Sequence, residues 1–414
     1  MENKPDKQAD MALGIDRAES VASMEPLMLA EHSRQRGQLH DLATELAQKS
    51  TGLRRSLPIS LVPSVAALVR SMNCYYSNLI EGHDTHPIDI ERALKSDYSG
   101  DPKQRKLQLE AKAHIDVQGW IDAGGLTGRV LSLSALCDIH RRFYQHLPTE
   151  LCWTTNPTSG ERVRIVPGQL RRRDVRVGHH VAISPGAVER FIARFVAAFA
   201  RLGKHELILA GAAIHHRLAW IHPFLDGNGR VIRLLSHALY LELLDTGGLW
   251  SIARGLGRNV AAYQVHLANC DQPRRNDLDG RGALSEEALA AFTEFYLRLC
   301  IDQVNFMESL LAPAGLRARV MLWAEEQQRL NQLPSAALTL LDALLRQGEL
   351  PRAEIAPMLG VSDRQARRVI NTLVVKDAVF AANTRAPYRL RLPASLAARW
   401  LPGLFPEQPT PPTT

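Results

Sequence analysis

The sequence predicts a mainly α-helical protein with one β-rich interruption and a smaller helix-and-hairpin module near its C-terminal end. Three observations predict it. Apolar residues recur at helical spacing through most of the 414 residues. The stretch around 151–186 carries glycines, prolines and short alternating runs such as VRIV and VRVG, the marks of a β-hairpin and its connections. After LNQLPS the order helix, helix, helix, hairpin is legible over 336–393.

The bulk numbers narrow the class. The apolar fraction is 45% and the charged fraction 22%, an ordinary globular mix. The formal charge of +7 suits acidic or phosphorylated partners without demanding nucleic acid. The five cysteines are scattered with no CxxC pair, which excludes a cysteine zinc ribbon or a disulfide framework and fits free thiols in a reducing compartment. The polar start MENKPDKQAD reads as no signal peptide, and no run of 18 apolar residues is present to span a bilayer. A soluble cytoplasmic protein without membrane contact is expected.

The elements follow in order. Residues 1–55 form a helical extension, partly disordered in its first twenty or so positions. The run SLVPSVAALVRSMNCYYSNLIEG from Ser56 is helical, and Gly82 stops it. Helices follow over 105–122 and 130–146, then the β-rich stretch. HELILAGAAIHHRLAWI is apolar around most of its circumference and should be buried, as should VIRLLSHALYLELLD. Helices continue through 257–270 and 284–312, with 313–335 as linker or helix and 394–414 as a largely disordered Pro/Thr-rich tail.

Between the two buried helices lies HPFLDGNGR, His222 to Arg230. Gly227 and Gly229 permit unusual backbone conformations and close approach to a ligand. The loop opens into a helix N-terminus, where free N–H groups and the helix dipole favour phosphate. Arg230 and Arg233 are three apart, neighbours on one helical face, and suit a polyphosphate. Asp226 is placed to hold Mg²⁺ beside phosphates. His222 can accept a proton near neutral pH. The set fits transfer of a phosphate-containing group to a hydroxyl.

The twelve residues His222 to Arg233 resemble the HPFxDGNGRxxR signature of the Fic family (filamentation induced by cAMP), with every fixed position present. The resemblance, taken over about 56–310, implies a helical bundle with a β-hairpin flap and, as activity, AMPylation. An AMP unit passes from ATP to a Ser, Thr or Tyr hydroxyl of a target protein, with Mg²⁺. It implies that His222 deprotonates the hydroxyl, Phe224 anchors the loop in the core and Asp226 carries Mg²⁺. It makes Gly227, Asn228 and Gly229 the anion hole, with Asn228 near the α-phosphate, and gives the outer phosphates to Arg230 and Arg233.

The resemblance extends to three further segments. The stretch 168–185 is similar to the family's flap, which aligns a target by backbone pairing, with Val175, Val177 and Gly178 at the site. The run Arg171-Arg172-Arg173 within it reads as a solvated cluster. RNVAAYQVHL, from Arg258, resembles the segment lining the adenine pocket, with Asn259 and Tyr263 on one helical face. Ser77-Asn-Leu-Ile-Glu81-Gly82 resembles the inhibitory motif [S/T]xxxE[G/N], of the subclass with the inhibitory helix on the N-terminal side, here near 65–82. Glu81 would then pair with Arg233 and withhold it from the γ-phosphate. In resembling proteins the same glutamate can orient a water that removes AMP, so de-AMPylation is the alternative chemistry.

The segment 336–393 resembles a winged helix-turn-helix. Its third helix, opened by an S-x-x-Q capping box at Ser362 and Gln365, would be the recognition helix, with Arg364, Arg367 and Arg368 on its exposed side. Ten Lys/Arg stand against five Asp/Glu over 338–400. That surplus suits DNA, and the module equally suits a regulatory protein or a homo-oligomer contact. The rival function is a DNA-binding regulator whose Fic core senses a ligand.

Overall fold

The computed structural model describes residues 14–83, 85–155, 160–178 and 180–406. Helices dominate it, as the sequence predicts. The chain opens with α1 (Arg36–Ser56) and α2 (Val62–Ile80). Helix α2 ends in a Schellman motif. The Gly82 N–H donates to the Leu79 carbonyl at 3.0 Å, and the His83 N–H to that of Asn78 at 2.9 Å. Gly82 takes φ +80°, so glycine is the residue this turn needs, and Glu81 becomes the C-cap.

Next come α3 (Pro87–Leu94), α4 (Pro102–Asp122) and α5 (Leu133–Gln145). The Asp101 side chain caps α4 by accepting from Gln104 N at 3.2 Å, with Pro102 in the first turn. Two small hairpins follow where one was expected. β1 (Trp153–Thr155) pairs antiparallel with β2 (Arg162–Arg164), and β3 (Arg176–Val177) with β4 (His180–Val181).

The chain returns to helix in α6 (Val188–Phe199), α7 (Lys204–Ile221) and α8 (Asn228–Leu244). Helix α7 is buried nearly all round, His215, His216 and Arg217 included. Then come α9 (Ile252–Arg258), α10 (Val260–Cys270), α11 (Glu286–Leu311) and α12 (Pro313–Arg329).

The C-terminal module has α13 (Ala336–Gln347), β5 (Glu349–Leu350), α14 (Arg352–Leu359) and α15 (Asp363–Val375). Strands β6 (Val379–Phe380) and β7 (Tyr388–Leu390) complete an antiparallel sheet of order β5–β7–β6. The capping box of Ser362 and Gln365 opens α15.

Two apolar clusters hold the molecule. One gathers α1, α2, α9 and α11 and runs on through Leu340, Leu373 and Leu390 of the C-terminal module. The other lies around α5 to α8, with Phe191, Phe195 and Phe224. The module is docked on the start of α2. Ser64 Oγ donates to the Leu390 carbonyl at 2.7 Å, and Lys95, just after α3, pairs with Asp377 at 2.9 Å.

Both ends are more ordered than their composition implies. Residues 14–20 lie along the base of β3 and β4. Arg17 pairs with Asp174 at 2.7 Å, and Glu19 accepts from Ser184 N at 2.7 Å. The tail forms α16 (Ala394–Trp400), whose Trp400 is fully buried edge-on to Trp323 at 5.1 Å. Disorder was expected from 394 onward. Apolar burial orders 394–406 instead, while residues 1–13 and 407–414 lie outside the described residues. Among the described residues no helix is long and apolar enough to cross a membrane.

Candidate active site

The loop between α7 and α8 is shaped by its own side chains. His222 ends α7 in the left-handed region at φ +53°, and Gly227 precedes α8 at φ +79°. Asn228 closes the turn. Its Oδ1 accepts from Phe224 N at 2.9 Å, and its Nδ2 donates to Phe224 O at 2.8 Å. The Phe224 ring is fully buried and stacks on His140 at 4.1 Å. His140 Nδ1 in turn accepts from Gly168 N at 2.8 Å.

Arg171 braces this loop from beneath. It is buried, and its Nε donates to the His222 carbonyl at 2.7 Å and Nη2 to that of Ile183 at 2.6 Å. The expectation of a solvated arginine cluster fails for Arg171, because its planar fork satisfies backbone carbonyls that would otherwise be orphaned.

The first N–H groups of α8 have no side-chain cap and no helical acceptor, so they are free to bind an anion. A cavity of about 450 Å³ lies over them, with Glu81, His222, Asp226, Asn228 and Arg230 in its wall. Asn228 contributes position and backbone here, since its amide is spent on Phe224.

Both motif arginines carry carboxylates. Arg233 is buried, donates from Nε to Ser77 Oγ at 2.9 Å, and forms an ion pair with Glu81 through Nη2. Burial works against the charge of Glu81, yet Arg233, with Arg230 and His83 behind it, holds its carboxyl below the usual range. A Cβ on Gly229 would collide with Glu81 Oε1 and with Arg233, so glycine there is what lets the pair form. Arg230 meets Glu110 of α4 at 2.8 Å, and its guanidinium lies 5.0 Å from the Phe143 ring centre. Burial opposes the charge of Arg230, and Glu110, Tyr144, Glu81 and Asp226 together more than restore it.

Asp226 is exposed to the cavity, and Tyr144 donates to its Oδ2 at 2.5 Å. One accessible carboxylate beside an anion-binding turn fits a Mg²⁺ ion that shares its ligands with phosphates and water. His222 Nδ1 lies 3.3 Å from the Ala219 carbonyl. Burial pushes its pKa down to about 4, so it is neutral near pH 7.

The structure sorts the other expected residues. Val177 is exposed on the rim of the cavity, Gly178 turns the β3–β4 hairpin at φ +58°, and the Val175 carbonyl accepts from Ala182 N at 3.2 Å. Strand β1 also lines the cavity, through Trp153, Thr154 and Thr155, which sequence reasoning missed. Asn259 and Tyr263 are not among the lining residues. Tyr263 is a buried core residue bonded to His215 Nε2 at 2.7 Å, and Asn259 Nδ2 donates to Gly255 O at 2.9 Å. Tyr263 is buried beside Arg233, while Asn259 is exposed, so the two present no shared face to this cavity. Arg364, Arg367 and Arg368 lie together along a groove on α15, far along the chain from the loop.

Residues 130–240, which include the whole loop and α8, match the model of the Fic/DOC family. This stretch is similar to a Fic/DOC domain. A protein adenylyltransferase Fic from Drosophila grimshawi is 28% identical over 170 residues, covering 41% of this chain and 32% of that protein. Its namesake from Culex quinquefasciatus is 34% identical over 115 residues, covering 27% of this chain and 20% of that protein. The chain thus spans about a third or less of the length of these curated relatives. Among solved structures, a Fic family protein from Desulfovibrio desulfuricans superposes with a TM-score of 0.52 at 17% identity, covering 88% of this chain and 98% of that one. That likeness is one of fold. The Fic/DOC match reaches neither Glu81 nor Glu110, so both carboxylates that engage the motif arginines lie outside it.

Proposed function

We propose that this Fic chain is a protein adenylyltransferase that moves AMP from ATP to a hydroxyl of a target protein, and that Glu81 restrains it. The observation that carries the reading is the neutral His222 beside the uncapped start of α8 and its two arginines. In this reading the free N–H groups of α8 hold the α-phosphate, and Arg230 and Arg233 hold the outer phosphates. His222 takes the proton of the attacking hydroxyl, and the bond from the α-phosphorus to the leaving pyrophosphate breaks in line. Asp226 would hold Mg²⁺, which neutralises charge on the phosphates. The exposed β3–β4 edge at Val177 supports its use as a flap that aligns the target by backbone pairing.

Glu81 and Ser77 occupy the hydrogen-bonding edge of Arg233 that a γ-phosphate needs. The ion pair supports autoinhibition at the nucleotide end of the site. Glu81 also lines the same cavity as His222, which supports water activation in the reverse reaction, de-AMPylation.

The C-terminal module is read as a winged helix. Among the described residues Arg364, Arg367 and Arg368 form no ion pair, whereas Arg346, Arg389 and Arg399 do. Three unpaired guanidiniums on one helix support docking of an acidic partner, DNA or a regulatory protein. A cytoplasmic location accords with five free cysteines.

The deciding experiment is transfer of label from α-³²P-ATP with Mg²⁺ to protein in a lysate. Label transferred by Glu81→Gly and not by Glu81→Gly/His222→Ala is expected. Folded Glu81→Gly protein that transfers no label would move the reading to de-AMPylation, tested on an AMPylated target, or to a ligand-sensing DNA regulator.

A further inference from the structure

We propose that His40, His205 and Glu206 build a zinc-type divalent metal site that clasps α1 to α7. The cluster lies at the start of α7, and His222 caps the other end of that helix. At about 1.5 Å per residue the two are roughly 25 Å apart, so this site is separate from the nucleotide cavity. One ligand atom from each of the three residues lies within 4.8 Å of the others.

A hydrogen bond fixes the tautomer of His205. Thr44 has one hydroxyl proton, and it donates that proton to the His40 carbonyl at 2.9 Å. Its contact with His205 Nε2 at 3.1 Å is therefore accepted, which puts the His205 proton on Nε2 and leaves Nδ1 a bare lone pair. On the other ring, His40 Nε2 lies 3.6 Å from Glu206 Oε1, beyond hydrogen-bond distance, so the proton of His40 is free to sit on either nitrogen. Arg36 holds the second oxygen of Glu206 at 2.6 Å and fixes the carboxylate in place.

The bare Nδ1 of His205 meets Nδ1 of His40 at 3.3 Å, with the rings parallel to within 3°, a contact that a shared proton or a bound cation can hold. Two nitrogens bound to one tetrahedral zinc at about 2.0–2.1 Å stand roughly 3.3 Å apart. Two imidazoles with a carboxylate select zinc, nickel or copper over magnesium. His205 is exposed and His40 half-buried, so an ion reaches the site from solvent and keeps water in its remaining positions.

The test is a Zn²⁺ titration of the metal-free full chain by calorimetry, comparing wild type with His40→Gln and His205→Gln. The wild type should bind one equivalent more than either variant, and zinc should raise its melting temperature but not theirs. Equal stoichiometry in all three overturns the site and leaves the imidazole pair sharing a proton. A second measurement needs no variant. Zinc should protect His40 and His205 of the wild type from diethyl pyrocarbonate, read by peptide mass spectrometry, and unchanged labelling of both would also overturn the proposal.

Discussion

One guanidinium, that of Arg171, holds the His222 carbonyl at 2.7 Å and the Ile183 carbonyl at 2.6 Å, tying the loop of the candidate base to the foot of the β3–β4 hairpin. Lysine offers no planar fork and cannot serve both carbonyls in this geometry. On the Glu81→Gly background, Arg171→Lys is expected to lower kcat by about 10²-fold, the usual cost of misplacing a reacting group by an ångström. KM for ATP should move little, because the residues read as binding ATP lie on α8. Initial rates of label transfer at varied ATP give both numbers.

Releasing Arg233 should raise activity. Glu81→Gly removes the ion pair without touching the residues of the loop. The gain expected is roughly 5- to 150-fold, the span of ordinary coupling free energies between sites. Glu81→Gln, which keeps the shape and loses the charge, should fall between wild type and Glu81→Gly in the same assay.

Glu110 and Arg230 are both buried. Glu110→Ala strands the Arg230 charge in the interior, at a cost of about 3–5 kcal/mol in stability. Urea denaturation of the variant against wild type measures it. A change below 1 kcal/mol, on the order of an exposed pair, would mean that Arg230 finds water or another partner.

Burial lowers the pKa values of five histidines: His114 and His215 to about 3, and His140, His216 and His222 to about 4. Each is neutral in the folded chain and takes up a proton at its ordinary value of about 6.5 when unfolded. The unfolded state therefore binds more protons between pH 6.5 and 4, and stability falls as pH drops through that window. Denaturant midpoints at pH 7.5, 6, 5 and 4.5 should decline with increasing slope. His222→Ala should flatten the curve by up to one proton's worth.

Trp400 is expected to be structural despite its place near a Pro/Thr-rich end. It is fully buried against Trp323, so Trp400→Ala should cost about 3–5 kcal/mol. Thermal melting of the variant checks this, and an unchanged midpoint would mean that α16 is not held to the core.

The parts legible in the sequence were those whose cause is local. HPFLDGNGR declared its turn because Gly227 needs φ above zero and the following helix start is open. SxxxEG declared a helix end because Gly82 completes a Schellman motif and puts Glu81 at the cap. What escaped was set by partners distant in the chain. Glu110 is 120 residues from Arg230, and nothing in α4 marks it apart from any other charged residue on a helix. Arg171 looked like one of three surface charges until backbone carbonyls from three segments surrounded it. Asn259 and Tyr263 do share helical spacing, but spacing cannot tell which side of a helix meets the core. Trp400 was hidden by the composition around it.

Helix α2 has two ends with different neighbours. Its last turn carries Ser77 and its cap Glu81, at Arg233, while near its first turn Ser64 is bonded to the Leu390 carbonyl of the C-terminal sheet. A shift of α2 at Leu390 would therefore also move the cap that carries Glu81. Were the groove on α15 to act on α2 through that contact, its occupancy and that of the cavity would be one thermodynamic quantity read from two places. If a partner on α15 loosens the grip on Arg233 by some factor, ATP must change that partner's affinity by the same factor.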